Sequence, residues 1–147
     1  MNVVIDTNVW VSGFINQHGT LARVLDAYRD MRVTVVISEP MLEELVEVLR
    51  RPKMVQKYGV TDEDVRAMHE LLGRHAVVAP VRHTVHVCRD PDDDVVIETA
   101  VRGTAQFLVS GDADLWKAAE VQDYLRDHRI QVLSPKGFWD KIGIVGG

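Results

Sequence analysis

Apolar and polar positions along the chain change period several times, and each change marks a different element. Val3-Val4-Ile5 is a short unbroken run of β-branched residues that stops on Asp6-Thr7-Asn8, the pattern of a covered strand with a carboxylate at its tip. Leu21, Val24, Leu25 and Tyr28 recur at helical spacing, and Val33 to Ile37 forms a second continuous apolar strand. Ser38 and Pro40 signal a helix start, and Leu42, Leu45, Val46 and Leu49 give the apolar stripe of a helix that ends before Pro52. Thr61 followed by Asp62, Glu63 and Asp64 opens another helix reaching His75, with Val65, Met68, Leu71 and Leu72 on its apolar face. A β-rich segment, Ala76 to Val81, comes next. The run Asp90 to Asp94 then leads into a helix to about Arg102, ended by Gly103, before a strand from Gln106 to Val109. A helical stretch from Leu115 to Arg129, which a break would divide, a short strand Gln131 to Leu133 and a terminal helix from Pro135 complete the pattern.

Strands alternating with helices predict an α/β fold with a mainly parallel sheet of four to five strands, covered on both faces. With 147 residues and 46% hydrophobic content the chain is the size of one domain with a substantial core. No apolar stretch approaches the ~18 residues of a membrane span, and the N-terminus enters a strand directly, so a soluble, cytoplasmic protein is expected. The single cysteine, Cys88, forms no internal disulfide and is expected to be a buried thiol. A net charge of -5 argues against wrapping nucleic acid by bulk charge, but it does not exclude a nuclease, since acids concentrated in one cleft leave the remaining surface free to be locally basic. The densest positive cluster, Arg50-Arg51-Pro52-Lys53 with Lys57, fits a helix C-terminus as well as a phosphate contact; Arg50, Arg51 and Lys53 are the candidates for RNA.

The acids have a topological logic. In an open parallel sheet, ligands gather outside the carboxyl ends of the strands, and both Asp6 and Asp112 follow apolar strands there. Asp6 also has a plainer use as the cap of the following helix. Glu44 lies at the margin of its helix's apolar stripe, with Glu43 as its rival and Glu47 on the solvent side. Four aspartates in Asp90-Pro91-Asp92-Asp93-Asp94 exceed what capping one helix needs. Two carboxylates about 4 Å apart repel by about 1 kcal/mol in water and several-fold more in a partly dehydrated cleft, a repulsion that a divalent ion converts into binding. All-oxygen ligation with retained waters suits Mg2+ or Mn2+ rather than zinc. Such a site activates water and neutralises a phosphodiester without a Ser, Cys or His nucleophile.

Four segments carry a resemblance: Val3-Val4-Ile5-Asp6-Thr7-Asn8-Val9; Ser38 to Pro52 with its Glu-Glu-Leu; Arg89 to Asp94 leading to Ala100; and Phe107-Leu108-Val109-Ser110-Gly111-Asp112-Ala113-Asp114-Leu115. In this order and spacing the chain resembles the PIN-domain ribonucleases, specifically the bacterial group regarded as toxins of toxin-antitoxin systems, over nearly its whole length. The resemblance implies a three-layer α/β/α sandwich, Mg2+- or Mn2+-dependent cleavage of RNA and inhibition by a cognate antitoxin; a homodimer is expected besides. By position, Asp6, Glu44, Asp93 and Asp112 match the family's acidic quartet, with Asp6, Asp93 and Asp112 as metal ligands and Asn8 and Ser110 as supporting polar groups. Asp94 is an alternative to Asp93, and Asp114 to Asp112. Ser110 stands where threonine is common, and the stretch from Lys117 to Arg129 is longer than usual.

Two other chemistries fit less well. His83-Thr84-Val85-His86-Val87-Cys88 has zinc-ligand residue types, but in an extended segment His83 and His86 face opposite sides, and no second cluster completes four ligands. His18, His69, His75 and His128 have no paired spacing. An aspartyl-phosphate phosphatase also places an Asp after its first strand, but it needs a second acid where this chain has Asn8. A non-catalytic RNA- or protein-binding module is the reading from a different class. Trp10 and Phe14 on the first helix are expected in the core, with a dimer or antitoxin contact as the alternative.

Overall fold

The computed structural model describes residues 1–15, 33–112 and 117–141. The helix expected over 21–28, the Phe14 side chain, His18, Asp114 and the start of the stretch expected from 115 lie outside the described residues. Five strands, β1 (Asn2–Ile5), β2 (Thr34–Ile37), β3 (Val77–Val78), β4 (Phe107–Val109) and β5 (Gln131–Leu133), form one sheet in the order β3-β2-β1-β4-β5. All pairings are parallel, with Val4 opposite both Val36 and Leu108. Among the described residues seven helices flank the sheet: α1 (Thr7–Ile15), α2 (Glu39–Leu49), α3 (Pro52–Tyr58), α4 (Asp62–His75), α5 (Pro91–Arg102), α6 (Ala119–Asp127) and α7 (Pro135–Lys141). The result is a three-layer α/β/α sandwich. No helix among the described residues is long and apolar enough to cross a membrane.

The strand order explains the apolar runs. β1 is central, covered on both faces, so Val3, Val4 and Ile5 are all buried without alternation. Right-handed crossovers put the helices leading from β1 out to β3 on one face and those leading to β4 and β5 on the other. Accordingly α2 touches α1, α3 and α4, and α1 touches α3, whereas α5 packs on β1 and β2 and also reaches α2. Met41, Leu45 and Leu49 form the buried stripe of α2, and Val65, Met68 and Leu72 that of α4; Leu71 is half-buried at its margin. Trp10 is buried in the core.

Three expectations need correction. Pro52 ends α2 as expected but is also the first residue of α3, which the apolar pattern missed because that short helix buries only Met54. Of the β-rich segment 76–81, only Val77 and Val78 pair with β2; they form an exposed edge, and Ala79 turns inward. The helical stretch toward Arg129 is broken at Ala118, between the helical Lys117 and α6 (Ala119–Asp127), as the pattern allowed, but it stops short of Arg129, which adopts a positive φ of 58°.

Candidate active site

The direction of chain travel across the sheet reverses at β1. From β1 the chain goes to β2 and β3 on one side, then returns to β4 and β5 on the other. The crevice outside the carboxyl ends of β1 and β4 is therefore the switch point of the sheet, where open α/β folds bind ligands. Asp6 directly follows β1 and Ser110 directly follows β4, and the Asp6 N–H donates to the Val109 carbonyl at 2.9 Å, so the register of the ladder brings these two ends together.

At that junction Ser110 Oγ donates to Asp6 Oδ2 at 2.9 Å and accepts from the Asp112 N–H at 3.0 Å. One buried hydroxyl thus links two of the four acids. The Asp6 carbonyl accepts from the Val9 and Trp10 N–H groups, so the residue also begins α1, and the capping use of Asp6 holds at the backbone. Burial pushes the Asp6 carboxyl above the usual carboxylate range; the Ser110 hydroxyl and the Thr7 N–H act against it, the Asp112 charge adds to it, and the Asn8 N–H opposes. Asn8 itself is exposed in the first turn of α1.

Asp93, half-buried in the first turn of α5, is pushed up to about 6, by burial first and then by the charges of Asp90, Asp112, Asp6 and Asp92. Asp94, the next residue, points elsewhere: its Oδ1 accepts from the Val87 and Cys88 N–H groups at 2.9 and 2.8 Å. Asp90 is the N-cap of α5, accepting from the Asp92 N–H at 2.9 Å. The aspartate run therefore divides into a cap, a backbone ligand and a carboxylate that feels the cleft. Glu44, exposed on α2, is raised by burial and then by Asp92, Asp6 and Glu47, with Arg51 opposing. Glu43 is exposed on the groove between α2 and α4, and Glu47 pairs with Arg51 at 3.3 Å.

The four matched acids thus share one electrostatic neighbourhood, though they come from β1, α2, α5 and the turn after β4. Among the described residues no three His, Cys, Asp or Glu side chains are gathered closely enough to cage a cation. The donor set, all carboxylate and hydroxyl oxygen, is of the kind that hard divalent ions such as Mg2+ or Mn2+ take. Such ions keep several waters and take only one or two direct carboxylates, and the upward shifts of Asp6, Glu44 and Asp93 come first from burial and then from neighbouring carboxylates, both of which a divalent charge offsets.

The basic cluster stands at the far end of α2. Arg50 lies 3.9 Å from Asp62, Arg51 pairs back to Glu47, and Lys53 is exposed on α3. His83 and His86 are both exposed, and His83 has a positive φ of 56°, so the segment is not an extended strand and the opposite facing expected of one does not apply. Cys88 is half-buried rather than buried, and its thiol is pushed up to about 12 by burial and by its hydrogen bond to Asp94. Sequence reasoning missed Glu98, a fully buried carboxylate on α5. A glutamate at an inward helical position, between Ile97 and Ala100, was the available signal.

Residues 2–114 match the family model of the PIN domain. The chain is also 29% identical over 140 residues to an uncharacterized protein of Methanocaldococcus jannaschii, an alignment covering 94% of this chain and 89% of the relative.

Proposed function

This chain belongs to the PIN-domain family, a nuclease fold, and from that premise we propose that it is a Mg2+- or Mn2+-dependent endoribonuclease. The observation that carries the reading is the Asp6–Ser110–Asp112 chain of hydrogen bonds at the switch point, with Asp93 raised by burial and by the charges of Asp90, Asp112 and Asp6. We assign Asp6, Asp93 and Asp112 as the groups that would hold the ion, and Glu44 as the acid that completes the charge or orients water. When bound, such an ion supplies charge neutralisation at the phosphodiester and activation of water.

The chain's own residues do the rest. Ser110 keeps Asp6 and the 110–112 turn in fixed relation, so two acids are presented together rather than as independent rotors. Asp93 keeps its carboxyl proton up to about pH 6 and must release it before its oxygens serve as ligands. Arg51, whose charge acts on Glu44, is the basic group best placed to meet a phosphate, with Arg50 and Lys53 behind it along the RNA path. These contacts carry no sequence information, so cleavage preference arises elsewhere. A cognate antitoxin and a homodimer are the partners we assign. Expression of the chain should arrest bacterial growth in the wild-type form and not as Asp6→Asn.

The test is cleavage of a mixed single-stranded RNA pool with Mn2+, Mg2+ or EDTA, beside Asp6→Asn of matched folding. Metal-dependent cuts that vanish in Asp6→Asn are expected. Hydrolysis of a phosphomonoester without RNA cleavage would transfer the site to phosphatase chemistry, and RNA affinity without turnover would make the protein a binding module.

A further inference from the structure

Two acids of α5 are turned away from the cleft and onto the chain segment that precedes the helix. Glu98, 1% exposed, accepts from the Arg82, Thr84 and Val85 N–H groups and from Arg102 Nε at 3.0 Å. Burial raises its carboxyl, but those four donors outweigh burial and leave it lowered. One helical turn earlier Asp94, 8% exposed, takes the Val87 and Cys88 N–H groups. One turn later Arg102 also donates to Thr84 Oγ1 at 3.1 Å. Residues 94, 98 and 102 thus form a polar spine at four-residue spacing, holding a segment that has no regular structure. The positive φ of His83 lies between two of the amides gathered on Glu98, so these bonds hold the backbone in a conformation that a side-chain-bearing residue rarely adopts.

Asp93 and Asp94 are neighbours on a helix, about 100° apart around its axis. A rotation of the first turn of α5 by about that angle would exchange which of them meets Asp6 and Asp112, and a smaller one would move Asp93 off the cleft. The apolar face of α5 limits that rotation through Val96, Ile97 and Ala100, but these lie beyond the first turn, in which Asp90 and Asp93 repel one another at i, i+3 spacing. The bonds of Asp94 act within that turn itself. We propose that Asp94 is a positioning residue for Asp93: held by the amides of residues 87 and 88, it sets the rotational register of α5 and so keeps Asp93 on the cation cleft. This assignment rests on the metal-dependent nuclease reading above.

The test is Mn2+ binding to the intact protein, by calorimetry at neutral pH and well below melting, for wild type, Asp94→Ala, Asp94→Asn and Asp93→Ala. Asp94→Ala should weaken Mn2+ binding by about tenfold or more, as loss of an outer partner of a metal ligand does. Asp94→Asn, whose amide oxygen still accepts from the two N–H groups, should restore most of the loss. A purely structural role would lower the melting temperature of Asp94→Ala and leave the Mn2+ affinity of the folded protein unchanged; that result overturns the assignment. Failure of the wild type to bind Mn2+ would overturn the nuclease reading itself, and the assignment with it.

Discussion

At the scale of single residues, the cleft sets stability against chemistry. Asp6 is raised by burial, so its charged form is disfavoured by the fold, and a neutral isostere removes that cost. Asp6→Asn should therefore melt no lower than wild type at neutral pH while losing metal-dependent RNA cleavage, which paired melting and cleavage assays would show. Ser110 has the opposite character. Its buried hydroxyl donates to Asp6 and accepts from the Asp112 N–H, so Ser110→Ala strands both groups and should cost about 1–3 kcal/mol in denaturant unfolding. Ser110→Thr keeps the hydroxyl and should retain more of both stability and activity. Asp6 and Asp112 were legible as candidates because each ends an apolar run. The division between Asp93 and Asp94 was not, because adjacent aspartates on one turn differ only in what the rest of the chain offers them.

At the scale of elements, local signals were read well and long-range ones poorly. α4 begins on a complete capping box, in which Thr61 and Asp64 each accept the other's backbone N–H at 3.0–3.1 Å, and this was visible as Thr61 followed by acids. Thr61→Ala should cost about 1 kcal/mol, measurable as a shift of the denaturation midpoint. Gly103 was legible only as a helix stop. A Cβ there would lie 2.2 Å from Val36 Cγ1, so the glycine also lets the end of α5 close on β2, and Gly103→Ala should cost about 1–3 kcal/mol through overpacking. The segment 82–88 carried no periodic signal because it is organised by Glu98 and Asp94 reaching from a later helix, and α3 was hidden because one proline both stops a helix and starts the next.

At the scale of the whole molecule, the acids make stability depend on pH and, on the proposed nuclease reading, on a divalent ion as well. Asp93 titrates near 6 when folded and near the ordinary Asp value of 3.8 when unfolded, so between these the folded state binds more protons. Stability therefore falls as pH rises from about 4 to 6 and carries no further Asp93 contribution above that; Asp6 and Glu44, also raised, act in the same direction. A divalent ion competes with those protons, so the rise in melting temperature on adding Mn2+ should be larger at pH 7.5 than at pH 5.5, as thermal melts at both values would show. What the sequence alone determined was the alternation of strands and helices, the covered character of β1, and which acids stand at element ends, because those properties are written in periods and caps of a few residues. The tertiary structure alone decided that β4 lies beside β1, and so that Ser110 meets Asp6 across 104 positions of chain, and that Asp94 is spent on backbone amides while Asp93 meets the cleft. Strand order and helix rotation are fixed by pairing and packing between distant segments, and no local pattern contains them.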